Sequence, residues 1–206
     1  MTASFGEFQH APLVLASKSP ARAGLLRAAG LKIVTAEAAI DERSVETALG
    51  SDIDGEDVAL ILAQAKAADV APRFPDTRVI GADQTLTCEG RIIHKAEDDQ
   101  DLRKKLLGLS GRTHTLSAAV VVVQNGETVW QHTSQAHMTM RKLSPEFVGR
   151  YVAQTRSDSL QSVGGYQLEG PGSQLFDSID GDYFTILGLP LLPLLAWLRS
   201  ENVLMS

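Results

Sequence analysis

Two short turn sequences constrain the fold of this 206-residue chain more than any other feature. Asn125-Gly126 separates the strand-like runs 115–124 and 127–140, and Glu89-Gly90 marks a second, shorter hairpin. Asn-Gly is the strongest short hairpin signal, because both residues accept the positive φ of a tight turn between antiparallel strands. The chain therefore contains antiparallel strand pairs.

Helices and strands alternate along the rest of the chain. Residues 13–16 are typical of a short buried strand, and Ser19-Pro20 then supplies an N-cap and a first-turn proline for a helix to about Ala29. A second helix is predicted over residues 56–70, followed by a strand over residues 79–82. Alternation combined with hairpins predicts an α/β fold with a mixed sheet and helices on its faces.

Composition excludes several classes of protein. The chain is 44% hydrophobic and carries a net charge of −6, with 5% aromatic residues. This argues against a nucleic-acid partner, which usually requires a basic surface or stacking aromatics. The single cysteine, Cys88, excludes an internal disulfide. The most apolar run, residues 184–198, is too short and proline-broken to span a membrane.

The first eleven residues have no basic stretch followed by an apolar run. We therefore expect no signal peptide there, a flexible leader over residues 1–11, and a cytoplasmic protein.

Two cations lie at the start of the first predicted helix, where the positive end of the helix dipole disfavours them. They are Lys18 and Arg22, next to Ser17. A phosphate bound between them would explain both, since helix N-termini bind anions. The alternative is that both side chains extend into solvent or pair with an acid.

A third cation, Lys66, shares one helix face with Val58, Leu62 and Val70. It is either an edge residue with a buried stem or a charge directed into a cleft.

An acid, Asp83, follows the strand predicted at residues 79–82, and Lys95 follows the next short strand. Ligand sites of open α/β sheets concentrate just beyond strand ends. Gly81-Ala82 would leave space in front of the carboxylate, which could take a proton from water or hold a divalent cation. The alternative is an aspartate that only caps a turn.

The histidines do not form a metal-ligand set. His132 and His137 are five residues apart on one predicted strand, so they face opposite sides of it. His114 is predicted to be a structural hydrogen-bonding residue.

Eight segments, taken in order from about Leu13 to Leu198, together resemble the Maf family of nucleoside triphosphate pyrophosphatases. They are LASKSPARAGLL, AAIDER, LAQAKA, VIGADQT, HKAED (in place of the usual G-K-P), LSGRTH, GGYQLEGPGSQLF and GDYFTILGLPL. Several ordered motifs are far more specific than any one of them.

The resemblance implies hydrolysis of a nucleoside triphosphate to the monophosphate and pyrophosphate with Mg²⁺ or Mn²⁺. It also implies one domain over residues 1–206, with a mixed elongated β-sheet flanked by helices and two lobes around a cleft, as in inosine triphosphate pyrophosphatases. A homodimer and a role in clearing nucleotide pools or arresting cell division are further implications. The residues carried over are Asp83 as general base, Ser17, Arg22, Lys66 and Lys95 as phosphate contacts, and Glu42 with Asp83 as metal ligands.

Three positions distinguish branches of that family. The branch acting on dTTP and UTP has an arginine, a threonine and a glutamine where this chain has Ala21, Gln84 and Glu169. Gln84 and Glu169 resemble the branch acting on 7-methyl-GTP, whereas Ala21 matches neither branch well. A carboxylate at residue 169 could accept hydrogen bonds from the guanine N1–H and amino group. The resemblance therefore predicts substrate contacts at Gln84 and Glu169 and leaves the preferred base open.

Two other functions remain compatible with the same residues. A non-catalytic nucleotide-binding regulator of septum formation would need the cations but not Asp83. A protein-interaction module would show no nucleotide effect on its melting temperature.

Overall fold

The computed structural model describes residue 9, residues 13–50 and residues 53–205. Apart from residue 9, the expected leader over residues 1–11 lies outside the described residues. The strands are β1 (Leu13–Ala16), β2 (Ile33–Thr35), β3 (Val79–Cys88), β4 (Arg91–Ile93), β5 (Thr113–Gln124), β6 (Glu127–Met140) and β7 (Phe176–Asp180). The helices are α1 (Pro20–Ala28), α2 (Glu42–Leu49), α3 (Gly55–Val70), α4 (Asp99–Leu109), α5 (Pro145–Ser159), α6 (Tyr183–Ile186) and α7 (Leu191–Ser200).

The strands form one mixed sheet in the order β2-β1-β3-β5-β6-β7, with β4 paired to the outer part of β3. β1 is parallel to β2 and β3, and the pairs among β3 to β7 are antiparallel. Asn125 (φ 52°) and Gly126 (φ 84°) form the turn between β5 and β6, as their sequence predicts. The predicted mixed α/β sheet flanked by helices is confirmed.

The sheet is long enough to carry separate hydrophobic cores at its two ends. At one end, α1 and α7 cover one face around Leu15 and Ile80, while α3 covers the other around Val14 and Val121. At the other end, α4 and α5 pack on the outer parts of β3, β5 and β6. Along β3, the polar residues 83–85 lie between Ala82 of the first end and Leu86 of the second.

Asp83 lies inside a strand rather than beyond one, which differs from the sequence prediction. β1 stops opposite Gly81, but β5 continues the pairing of β3 from Val79 to Thr87, with Asp83 opposite Ala119. The acid therefore lies where the parallel half of the sheet ends and the antiparallel half continues.

Gly81 serves the approach of a helix and not an open space in front of Asp83. A Cβ at residue 81 would overlap the carbonyl oxygen of Ala63 and lie 2.9 Å from the Cβ of Ala67, both on α3. The missing side chain lets the backbone of α3 lie directly on β3.

The short helix α2 is absent from the sequence prediction. It is capped by Asp41, whose side chain accepts a hydrogen bond from the Ser44 N–H, and none of its residues is fully buried. Among the described residues, no helix is both long and apolar enough to cross a membrane.

Candidate active site

A lysine and two carboxylates meet at the junction between α2, α3 and β3. Lys66 and Asp83 are 8% and 6% exposed, and the Lys66 ammonium donates a hydrogen bond to Oδ1 of Asp83. The same ammonium lies 2.8 Å from Oε1 of Glu42, at the start of α2. Lys66 is therefore directed at two acids and is not an edge residue. Three segments that the sequence singled out separately come together here.

The environment of Asp83 favours a strong base. Burial raises the pKa of the Asp83 carboxyl, and the positive charges of Lys66 and Arg22 partly oppose that rise. A carboxylate with a raised pKa accepts a proton more readily near neutral pH than an ordinary aspartate does.

Arg22 lies beside this cluster and is held by backbone carbonyls. Nη1 donates to Ala82 O at 2.8 Å and to Ser17 Oγ at 3.3 Å, while Nε donates to Gly188 O at 2.8 Å. Burial lowers the pKa of the guanidinium, and the charge of Asp83 opposes that effect. Within the part of the chain that the structure describes, Nη2 makes no hydrogen bond, so its two N–H groups can bind an anion.

Local sequence explains this placement. Ser19 caps α1 by accepting a hydrogen bond from the Arg22 N–H, and Pro20 occupies the first turn, as predicted. The Ser17 hydroxyl accepts from the Ser19 N–H at 3.2 Å, so the loop after β1 folds back toward the helix start. Lys18 instead forms an exposed ion pair with Glu37. Of the two predicted cations, the loop therefore brings only Arg22 to the cluster.

Gln84 faces the side of the sheet opposite to Asp83. Its Nε2 donates to the carbonyl oxygens of Thr185 and Ile186 at 2.8 and 3.1 Å. Together with Arg22, which binds Gly188 just beyond α6, it therefore ties the end of α6 to the end of β1 and the middle of β3.

Gly188 belongs to the same contact, and the sequence analysis missed it. Its φ is +89°, and a Cβ there would lie 3.4 Å from Nε and Nη2 of Arg22. The isolated glycine between Leu187 and Leu189 was the available signal.

Lys95 and Glu169 are not brought into this cluster. Both are exposed, and neither forms a hydrogen bond or ion pair with a residue in the described ranges 13–50 and 53–205. Lys95 nevertheless lies in a loop that contacts α2, because Arg43 and Glu97 are 3.2 Å apart and His94 and Glu46 are 3.6 Å apart.

The donor set fits a divalent cation that is also bound by substrate. No group of three or more His, Cys, Asp or Glu side chains suited to a metal occurs among the described residues. Glu42 and Asp83 each use one oxygen for Lys66 and accept no described hydrogen bond at the other. Mg²⁺ is commonly held by one or two carboxylates together with substrate phosphates, so two free oxygens fit that mode of binding.

Comparison with known proteins identifies the family of this chain. The model of the family described as Maf-like protein matches residues 12–201. A 7-methyl-GTP pyrophosphatase of Brucella abortus is 56% identical over 191 residues, which cover 92% of this chain and 96% of that protein. One of Rhizobium meliloti is 53% identical over 188 residues, covering 91% and 94% of the two chains.

One further relative and one solved structure also match this chain. A nucleoside triphosphate pyrophosphatase of Nitrobacter winogradskyi is 50% identical over 193 residues, covering 94% of this chain and 95% of that protein. A crystal structure of a dITP/XTP pyrophosphatase from Mycobacterium abscessus covers 71% of this chain and 95% of its own. Its TM-score of 0.39 and identity of 16% are too low to support an argument. The family model and the close relatives both span nearly the whole chain, and this protein belongs to the Maf family.

Proposed function

We propose that this chain hydrolyses a nucleoside triphosphate to the monophosphate and pyrophosphate, with 7-methyl-GTP as its preferred substrate. The observation that carries the proposal is the buried carboxylate of Asp83, hydrogen-bonded to Lys66 beside Arg22. A protein that only binds polyanions has no use for a buried carboxylate among its cations. The rival reading, a non-catalytic nucleotide-binding regulator, therefore leaves Asp83 unexplained.

In the proposed reaction, Asp83 accepts a proton from water as the water oxygen attacks the α-phosphorus. The bond from that phosphorus to the α–β bridging oxygen breaks, and pyrophosphate leaves with the electron pair. Lys66, the Nη2 atom of Arg22, and Ser17 would contact the phosphates at the end of β1, with Lys95 added from the β4–α4 loop. Phosphoryl transfer depends chiefly on such positioning and charge neutralisation.

Glu42 and Asp83 would hold a divalent cation, Mg²⁺ or Mn²⁺, whose charge would offset that of the triphosphate. The carboxylates would otherwise repel the substrate, and that repulsion is strong where water is excluded.

Base selection is assigned to Glu169. Its exposed carboxylate could accept hydrogen bonds from N1–H and the amino group of a guanine, and its charge favours a ring made cationic by N7 methylation. The names of the close relatives support 7-methyl-GTP as the substrate. Gln84 would contribute through its carbonyl, since its amide nitrogen is bound to the last two residues of α6.

We also propose that the protein acts in the cytoplasm on nucleotide pools, as a homodimer. Gel filtration with light scattering would test the oligomeric state.

The test is pyrophosphate release from dTTP, UTP, CTP, GTP and 7-methyl-GTP, each with Mg²⁺ and with Mn²⁺. The highest kcat/KM is expected for 7-methyl-GTP. No release from any of these, with nucleotides still raising the melting temperature, would instead establish the nucleotide-binding regulator.

A further inference from the structure

The loop that carries Glu169 is anchored by a buried hydrogen bond far from the phosphate cations. His114 at the start of β5 is 1% exposed, and Tyr166 in the loop is 4% exposed. Nε2 of His114 lies 2.6 Å from the Tyr166 hydroxyl. His114 is thus the structural hydrogen-bonding residue that the sequence predicted.

Packing around this bond leaves the loop little freedom. The ring of Phe176 meets the Tyr166 ring edge-on, with centroids 4.8 Å apart. The Tyr151 hydroxyl donates to Gly165 O at 3.3 Å. Gly165 itself has φ +74°, and a Cβ there would overlap the side chain of Leu102. The chain is therefore fixed immediately before it turns outward.

The turn beyond Tyr166 is closed on itself. The Gly170 N–H donates to Gln167 O at 3.3 Å, and a Cβ at Gly172 would overlap that same carbonyl. Glu169 lies at the exposed tip of this turn, three residues after Tyr166. Because this short turn follows Tyr166 directly, we expect a shift in the position of Tyr166 to shift the Glu169 carboxylate as well.

Strand β5 connects His114 to the part of the sheet that carries Asp83. β5 pairs with β3 so that Ala119 is opposite Asp83, and His114 is five residues earlier on the same strand. At about 3.4 Å per residue, the two positions are about 17 Å apart along a rigid strand.

We propose that the His114–Tyr166 hydrogen bond is a positioning contact that fixes Glu169 relative to Asp83 and thereby determines selectivity for the base. The inference rests on the proposed function, because Glu169 has its role as a base contact only there. The bond acts on base recognition and leaves the chemical step at Asp83 unchanged.

The bond does not change over the usual assay range. Burial lowers the pKa of His114 to about 4 and raises that of Tyr166, so both side chains stay neutral. A selectivity effect at neutral pH is therefore geometric and not a change of charge.

The test measures kcat/KM for 7-methyl-GTP and for GTP. It compares the parent protein with Tyr166→Phe, Glu169→Gln and the double variant. Tyr166→Phe keeps the ring and removes the hydroxyl. We expect the ratio of the two kcat/KM values to fall about tenfold or more, because small misplacements of positioning groups have effects of this size. KM for 7-methyl-GTP should rise while kcat stays near that of the parent protein.

The control is Ser110→Ala, which removes a half-buried hydroxyl of the same end of the sheet that accepts from the Leu143 N–H and forms no described hydrogen bond to the loop. It should lower the melting temperature without changing the ratio. The double variant should show the ratio of Glu169→Gln alone, since the anchor acts only through that carboxylate.

Three results would overturn the inference. Tyr166→Phe could lower activity on both substrates equally, its effect on the ratio could add to that of Glu169→Gln, or Glu169→Gln could leave the ratio unchanged. Failure of the proposed function is a different result, namely no pyrophosphate from the parent protein on either nucleotide.

Discussion

The middle of the sheet and one of its ends accommodate buried ionisable side chains in different ways. At the junction near α3, Asp83 and Lys66 are both buried and are paired, with Glu42 as a second acid. At the end of the sheet covered by α4 and α5, His114 and Tyr166 are buried as a neutral pair. Asp83 has two cations nearby that oppose the effect of burial on its pKa, whereas His114 has only a hydroxyl as a partner and its pKa is lowered by burial.

This difference separates two tasks. Removing one partner of the charged pair leaves the other charge buried, so that region is sensitive and suited to binding a further charged group. The neutral pair needs no counter-charge, which suits a loop anchor. We therefore expect substitutions at Lys66 and Asp83 to change activity, and substitutions at His114 to change how stability depends on pH.

The largest effect is expected from Lys66→Met. Losing one preorganised cation at the phosphate site should lower kcat/KM about 100- to 1,000-fold. Without the Lys66 charge, the pKa of Asp83 should rise further, so the acid limb of the pH–rate profile should move to higher pH. A pH series of pyrophosphate release checks both, with Lys104→Met on the exposed face of α4 as control. An unshifted acid limb would break the link between Lys66 and Asp83.

The next effect is expected from Gly81→Ala. The new Cβ would overlap Ala63 O, so α3 must move away from β3 at a cost of about 3 kcal/mol in the free energy of unfolding. Activity should fall with it, because Lys66 is carried on α3. Urea denaturation measures the loss. Gly149→Ala is the matched control, since a Cβ at this position of α5 would meet open space. The variant protein should be slightly more stable than the parent.

A third effect concerns His114 and acid. The folded-state pKa of about 4 lies below the unfolded value of 6.5, so the unfolded chain binds a proton first as the pH falls. The contribution of neutral His114 to the free energy of unfolding is fully present above about pH 6.5. It falls by up to about 3 kcal/mol as the pH is lowered toward 4. In His114→Asn this part of the pH dependence should disappear, whereas His132→Asn should keep it. Equal slopes in the parent protein and His114→Asn would contradict the neutral-pair description.

The smallest effect is expected from Lys95→Met. The side chain is exposed and unpaired within residues 53–205, so its attraction for phosphate is screened by water and salt. We expect KM to rise about tenfold at low salt and less at high salt, in keeping with the range of single charge-assisted contacts. An equally large effect at all salt concentrations would mean that Lys95 is buried when substrate is bound.

Part of this architecture can be predicted from local sequence. Ser19-Pro20 predicts the start of α1 and Asn125-Gly126 predicts the central hairpin, and the structure agrees with both. Each of these signals depends on a few neighbouring residues. The spacing of Lys66 among apolar residues left two alternatives open, and the structure shows the one in which its charge is directed into the site.

What the sequence missed depends on distant partners. β3 extends past Asp83 because β5 continues to pair with it, a contact about 36 residues away along the chain. The role of Gly81 is visible only once α3 lies on it. Helix α2 has only eight residues, and the i, i+4 pair Val45 and Leu49 is too short a pattern to predict a helix on its own. Arg22 and Gln84 were singled out from the sequence, but their contacts near α6 could not be, because the carbonyls of Gly188 and Thr185 lie 166 and 101 residues away along the chain.

The central claim is that Asp83 is the base of the reaction and not a structural acid. The most direct measurement is pyrophosphate release by Asp83→Asn, with nucleotide binding followed in the same variant by thermal shift. We expect release to fall about 100- to 10,000-fold, the range for loss of a general base, while nucleotide still raises the melting temperature. Undiminished release from Asp83→Asn would contradict the account.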